Sequence, residues 1–522
     1  MRRFNPTDRD RPAKTGPTEP PTDSALATWE DEGGSIVVSS GRRNEGEATH
    51  LPSFDSGDPS PRDVSTSSGA NPVRDAGNHP NAALPPVRAD RFTKPLGRFL
   101  KIEAAAGAAL LVATCTALIL SNSGWSTAFL SVWEIPVGFQ FGSFEFSRSL
   151  QHWLNDGLMT IFFFVVALEL KRELVLGELR GWRKAALPFA GAVGGMIVPA
   201  SIYLALMANK PGMHGWGTVM ATDTAFVIGG LAMLGSRIPS ILRLFLLSLA
   251  IFDDVGAILV VAIGYGDAPV WSALAVAALG IGVVLGTARL GIRSISVYSL
   301  LGGGVWLAFD ASGIHPTIAG VVLGLMTPAR GWVTDDRLRA ILGRVLAYPQ
   351  GEHWGGDTAD RAHLRQAGRA AREVISPLEQ LEMKLHPWVG FAIMPVFALA
   401  NAGVPISSAG LHDPVSVAIF ASLVLGKPVG VVAMSWLAVR SGLATRPEAL
   451  SWPFLCAGAF LTGIGFTMSL FIAGLAYSAT VLDVAKIGIL SGSLVSAAVG
   501  LSALGWLSRK NRTRDRRSHP LS

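Results

Sequence analysis

Cysteine is scarce in this chain, and so is charge. Only two cysteines occur in 522 residues. Cys115 and Cys456 both sit inside apolar runs, so no disulfide framework is expected. The ten histidines show no HxxxH or mixed Cys/His spacing of the kind that holds zinc. No Walker-type phosphate loop appears, which argues against an ATP-driven machine. Charged residues make up 16% of the chain against 49% hydrophobic, with a mean hydropathy of +0.39. Soluble domains rarely have that balance. An apolar segment is also missing behind the basic N-terminus, so no signal peptide is read there. Residues 1–95 are rich in Pro, Asp, Arg, Ser and Gly without a sustained apolar run. They read as a disordered cytoplasmic tail, because they cannot bury enough surface to offset the entropy of ordering.

Long apolar stretches begin near Phe99. A membrane helix takes roughly 20 apolar residues. On that rule the chain is an all-α polytopic membrane protein with about twelve transmembrane helices. The spans lie near 101–121, 150–172, 185–208, 217–234, 241–264, 271–289, 294–309, 314–330, 385–403, 414–439, 451–477 and 484–507. Alternate loops carry the Lys and Arg, from Lys171 to Lys184, then Arg237 and Arg243, Arg289 and Arg293, and Arg440 and Arg446. Cytoplasmic loops collect positive charge, so both termini are placed inside, with 511–522 as a basic cytoplasmic tail. This bias accounts for the net charge of +6 and the pI near 9.5. A nucleic-acid partner is not implied, since no basic face or aromatic module accompanies the charge. Residues 331–383 form a long cytoplasmic loop, in which "DDRLRAILGRVLAY" has the spacing of an amphipathic helix. On the outside, "VGFQFGSFEF" (137–146) alternates like a short hairpin with Gly142 near its middle.

Within the spans a few charges stand out. "LSLAIFDDVGAILVVAIG" places Asp253 and Asp254 side by side near the middle of an apolar helix. Each such acid is penalised by about 2.5–3.5 kcal/mol at a helix centre, and an intramembrane acid is a functional hypothesis by default. The plainer alternative is a structural pair satisfied by Ser, Thr or backbone. Recurrence of charge in other spans weighs against it. Asp223 lies in "VMATDTAFVIGG" between Thr222 and Thr224, and Lys427 lies in "VLGKPVGVV" ahead of Pro428. Lys427 is too deep to snorkel and calls for a buried carboxylate. Neighbouring residues on a helix point about 100° apart, so Asp253 and Asp254 face different partners. Asp254 toward Asp223 and Asp253 toward Lys427 would account for all four of these charges. Pro428 predicts a kinked or locally open helix. Gly463 and Gly465 interrupt "LTGIGFTMSLF", and the polar Thr-Asp-Thr run interrupts the span of Asp223. Interrupted spans in corresponding halves point to a transport site built from inverted repeats.

Taken in order, "NDGLMTIFFFVVALELKREL", "ATDTAF", "FDDVGA", "SGIHPTIAGVVLGLMTP", "LHPWVGFAIMPVFALANAG", "LGKPVG" and "GIGFTMSLFIAGLAY" resemble the NhaA family of sodium/proton antiporters. The match runs from about Phe99 to about Leu507, making 96–510 an antiporter membrane domain. The resemblance implies a bacterial inner-membrane protein that exchanges two protons for one Na⁺ or Li⁺, with activity rising at alkaline pH. It maps Asp223 and Asp254 onto the cation- and proton-carrying pair and Thr222 onto a polar contributor beside them. Asp253 and Lys427 match the family's acid–lysine pair, and the helices of Asp223 and of Gly463 and Gly465 match its two interrupted crossing helices. Glu169, Arg172 and Glu173, with Glu382 as partner, match a cluster associated with pH response. His315 matches a histidine that influences pH dependence, and Asp156 an acid on the extracellular side. The 137–146 hairpin looks like the family's homodimer contact. Plainer readings stay open: the Glu169–Glu173 group could simply end a helix with an i,i+3 pair, and His315 could be a cap before Pro316. The tail of roughly 95 residues and the 331–383 loop exceed what better-known members carry.

A buried carboxylate is costly while charged, and either a proton or a hard cation held by oxygen neutralises it. Competition for the same atoms gives exchange, with no cofactor required. The rivals are an intramembrane aspartyl protease, which needs two acids converging on one peptide bond, and a passive cation channel, which has no need of Lys427.

Overall fold

The computed structural model describes residues 103–141, 144–177, 181–266, 268–292, 294–346 and 358–518. The tail read over 1–95 lies outside them. The described residues are helical apart from one hairpin. The first apolar run forms α1 (Glu103–Ser121), which turns by 115° into α2 (Ser126–Glu134). Strands β1 (Pro136–Phe141) and β2 (Phe144–Ser149) then pair antiparallel, with Pro136 opposite Ser149 and Phe141 opposite Phe144. This is where the alternation placed a hairpin.

Next comes α3 (Met159–Val175), entered through a π turn, Leu154–Leu158. Then follow α4 (Trp182–Leu206), a 3₁₀ segment Met213–Val219, α5 (Thr224–Leu234), α6 (Ser240–Gly264), α7 (Trp271–Arg289), α8 (Ile295–Ala311) and α9 (Thr317–Met326). The long cytoplasmic loop of the sequence reading contains α10 (Asp335–Leu346), in the predicted amphipathic stretch, and α11 (Thr358–Val374). The span expected near 385–403 starts earlier, because Ser376 and Glu379 close a capping box at the start of α12 (Pro377–Trp388). Glu382 is therefore inside a helix rather than in the loop. A π turn, Val389–Ile393, joins α12 to α13 (Met394–Asn401). Beyond it lie α14 (Pro414–Ala421), the π turn Ser422–Gly426, α15 (Lys427–Arg440), α16 (Trp452–Thr462), α17 (Phe466–Ala476) and α18 (Ala479–Ser518). The helix α18 runs through much of the stretch read as a basic tail.

Among the described residues, seven helical stretches are long and apolar enough to cross a membrane, three of them made of elements joined through a 3₁₀ or π segment, and nine if each bent pair counts as one span. The protein is a multi-pass membrane protein. The three remaining spans of the sequence reading fall on α3, α8 and α9, which are 17, 17 and 10 residues long. They are helical where expected but too short to be counted by length.

A single large buried cluster joins most of the helices, while Ala277, Val305, Ala308, Phe309 and Ala319 form a smaller one among α7, α8 and α9. In the large cluster α4 and α15 touch backbone to backbone. A Cβ on Gly430 would strike the Gly194 carbonyl, so only glycine permits that approach. Lys427, at the start of α15, is wholly buried beside this contact.

Candidate functional site

Both interrupted helices break at the same place. The 3₁₀ segment ends at Val219, residues 221–223 carry no regular structure, and α5 restarts at Thr224. The second break, Gly463–Gly465, separates α16 from α17 with a 44° bend. A Cβ on Gly463 would lie 2.5 Å from the Leu423 carbonyl and from Ser496 Oγ, so the chain passes there only as glycine. The two breaks satisfy one another. Asp223 N–H donates to the Ile464 carbonyl at 2.6 Å, and Thr222 Oγ1 stands 2.9 Å from the Thr462 carbonyl. Unpaired backbone at membrane depth is tolerated only under such compensation.

Asp223 is fully buried and caps α5, with Oδ1 accepting from Phe226 N–H at 3.3 Å. Its other oxygen accepts from Thr467 N–H at 3.0 Å and from the Thr467 hydroxyl. The N-terminal, positive ends of α5 and α17 thus converge on one carboxylate. The opposite ends present carbonyls. Lys427 Nζ donates to the Met220 carbonyl at 2.6 Å and stands 3.3 Å from Asp253 Oδ2, with both side chains wholly buried. The geometry balances partial positive ends against an acid and partial negative ends against a lysine.

On α6 the adjacent acids diverge, as 100° of helical rotation requires. Asp253 faces Lys427 and accepts from Thr222 Oγ1 at 2.5 Å. Asp254 Oδ2 accepts from Thr224 Oγ1 at 3.4 Å, next to Asp223 in the chain. Asp253 and Asp254 each keep one buried oxygen, Oδ1, without a hydrogen-bond partner. Asp223, Asp253, Asp254, Thr222, Lys427, Gly463 and Gly465 therefore meet at one site. Thr222, which the resemblance sets beside the cation pair, spends its one hydroxyl proton on Asp253. Carboxylate, hydroxyl and carbonyl oxygens are the ligand type that a hard cation takes; among the described residues, no group of three or more acidic, histidine or cysteine side chains gathers to hold one.

The remaining candidates stand in two other clusters. Arg172 on α3 pairs with Glu382 on α12 and lies 3.3 Å from Glu173. Glu169 lies 3.1 Å from His386, one turn from Glu382. Arg172 and Glu173 stand in the last turn of α3, and the Arg172–Glu382 and Glu169–His386 pairs cross from α3 to α12. The second cluster forms around His315 and Asp156. Its Nδ1 lies 2.8 Å from Thr317 Oγ1 at the start of α9, and its Nε2 is 3.8 Å from buried Asp156. Asp156 also has His152 at 3.0 Å and Arg148 at 3.5 Å, and Arg148 grips Asp310 with two bonds of 2.8 and 2.7 Å.

Sequence reasoning passed over Thr467, His386 and Asp310, and gave Thr224 no role beyond marking the break. Thr467 was findable: a hydroxyl residue two positions after Gly465, in the first turn of a half-helix, is placed near the helix's unpaired N–H groups. The carbonyls of Met220, Thr462 and Ile464 carry no side-chain signal at all.

Residues 97–504 match the family model described as Na⁺/H⁺ antiporter 1. The chain is 60% identical over 429 residues to the Na⁺/H⁺ antiporter NhaA of Rhizobium meliloti (strain 1021), covering 82% of this chain and 98% of that protein. It is 58% identical over 436 residues to Na⁺/H⁺ antiporter NhaA 2 of Acidiphilium cryptum (strain JF-5), covering 84% and 97%. To Na⁺/H⁺ antiporter NhaA 2 of Vibrio vulnificus (strain CMCP6) it is 49% identical over 429 residues, covering 82% and 96%. With two broken helices meeting around Asp223 and a family match across the whole helical region, this chain belongs to the Na⁺/H⁺ antiporter 1 family.

Proposed function

We propose that the protein exchanges intracellular Na⁺ or Li⁺ for external protons, two protons per cation, in the bacterial inner membrane. The observation that carries this is the meeting of the two breaks: Asp223 is buried between them, buried Asp254 bonds the neighbouring Thr224, and Asp253 is paired with Lys427. Protons or a cation neutralise Asp223 and Asp254, and either loaded form crosses more cheaply than the doubly charged empty one. That exclusion couples the two fluxes. Twelve spans, both termini in the cytoplasm and inverted repeats complete the reading. Its support is the loop charge and the position of the breaks, one in each half of the chain. The 1–95 stretch and the 331–383 loop stay on the cytoplasmic side, a homodimer forms through the β1–β2 hairpin, and Glu169, Arg172, Glu173 and Glu382 adjust the pH set-point.

A protease needs both acids free to reach one peptide bond, whereas Asp253 is engaged by Lys427 and Thr222. A channel needs no buried ion pair. Purified protein in proteoliposomes with an imposed acid interior tests the proposal. Added Na⁺ should alkalinise the lumen, and a lumen pH indifferent to Na⁺ would refute exchange.

A further inference from the structure

Three of the chain's five tyrosines surround one short segment. It is the 3₁₀ turn Met213–Val219, the half of the first interrupted helix that precedes its break. Tyr203, near the end of α4, is fully buried, and its hydroxyl donates to the Gly212 carbonyl at 2.7 Å. Its single proton is then spent, so Tyr477 is the donor in the 2.7 Å contact between the two hydroxyls. Tyr265, which follows the last residue of α6, donates to the His214 carbonyl at 2.9 Å and accepts from Gly217 N–H at 2.9 Å. Room for the rings comes from glycine: a Cβ on Gly215 would overlap the ring of Tyr477, and one on Gly217 would meet Tyr265 Oη at 2.7 Å.

The chemistry explains why hydroxyls are needed here rather than phenyl rings. A 3₁₀ turn has poorer hydrogen-bond geometry than an α-helix. Backbone groups left over at membrane depth need partners. Tyr265 bonds both the His214 carbonyl and the Gly217 N–H, and Tyr203 adds a second donor to the Gly212 carbonyl, which also accepts from Gly215 N–H at 3.0 Å. Tyr477 is the residue that ends α17, the distal half of the second interrupted helix. Its hydroxyl therefore ties that half to α4 and, through Tyr203, to the 3₁₀ segment. The next residue after the segment is Met220, whose carbonyl receives Lys427 Nζ.

We infer that Tyr203, Tyr265 and Tyr477 are positioning residues for exchange: their hydroxyls clamp the outer halves of both interrupted helices together and so set where the Met220 carbonyl meets Lys427. The inference rests on the antiport reading and on its orientation, which puts this clamp on the external side. External access to Asp223 and Asp254 then depends on the clamp, and internal access does not.

The test uses the full chain in membrane vesicles of both orientations, with Na⁺ titrated from each side. Tyr477→Phe and Tyr265→Phe remove only hydroxyls. Each should raise the KM for external Na⁺ about three- to tenfold, the scale of one buried hydrogen bond. Internal KM and the rate per folded protein should change less than about twofold, well under the effect of one such bond. Tyr298→Phe, whose hydroxyl bonds the Ile292 carbonyl elsewhere, serves as the control and should match the parent. Unchanged KM values on both sides, with the parent protein exchanging normally, would overturn the clamp. So would equal changes on the two sides, or a loss of folded protein in both variants with KM unaltered. A parent protein without Na⁺/H⁺ exchange would instead overturn the reading beneath it.

Discussion

Truncating Lys427 should destabilise the protein, not only stop transport. Its ammonium is wholly buried between Asp253 Oδ2 at 3.3 Å and the Met220 carbonyl at 2.6 Å. In Lys427→Ala, Asp253 stays buried with only the Thr222 hydroxyl on Oδ2 and nothing on Oδ1. Leaving one buried charge unpaired costs about 3–5 kcal/mol. A proton on Asp253 removes that charge, so the loss should be largest at alkaline pH and shrink as pH falls. Asp253→Asn alone leaves the lysine unpaired and should also destabilise. In the double variant both charges are gone, and stability should recover past that of the Lys427→Ala single. The assay is unfolding of the four purified proteins in one detergent at several pH values. Losses that add within about 0.5 kcal/mol would show no coupling and would refute the pair as a stabilising unit.

Asp223→Asn and Asp254→Asn should each abolish exchange while the protein still inserts; near-normal Na⁺-driven proton movement by either would remove that residue from the site. Thr467→Val deletes the hydroxyl that donates to Asp223 but keeps the backbone donor. It should change apparent Na⁺ affinity by about tenfold or less, the scale of one hydrogen bond to a charged group, read from Na⁺ titrations at fixed pH. Gly463→Ala should impair folding or transport severely, because its methyl would meet the Leu423 carbonyl and Ser496 Oγ; a variant with the parent's melting point and rate would contradict the tight crossing.

Much of the site was legible because charge is conspicuous in an apolar background. Asp223, Asp253, Asp254 and Lys427 each stand out in their spans, and the 100° rotation between Asp253 and Asp254 already separates their partners. The glycine and threonine runs marked the two breaks. Other features were not legible, and for physical reasons. Met220, Thr462 and Ile464 act through carbonyls that every residue possesses. Arg148 and Asp310 are 162 residues apart, so nothing local connects them. Helix lengths were read from hydropathy, which does not register the π turns that leave α3 at 17 residues or the capping box that starts α12 at Pro377. The tyrosine hydroxyls sit at helix ends, where a tyrosine has the look of an ordinary interfacial anchor.

The account turns on Na⁺ and protons competing for Asp223 and Asp254. The direct measurement is exchange in proteoliposomes over a grid of pH and Na⁺ concentration. Competition predicts that raising Na⁺ moves the whole activity profile to lower pH, by about one pH unit per tenfold Na⁺ if one proton is displaced and about half that if two are, by mass action. A shutdown in acid set only by Glu169, Arg172, Glu173 and Glu382 would not yield to Na⁺. A midpoint that stays fixed across about a hundredfold range of Na⁺, where mass action requires a shift, would contradict the competition account.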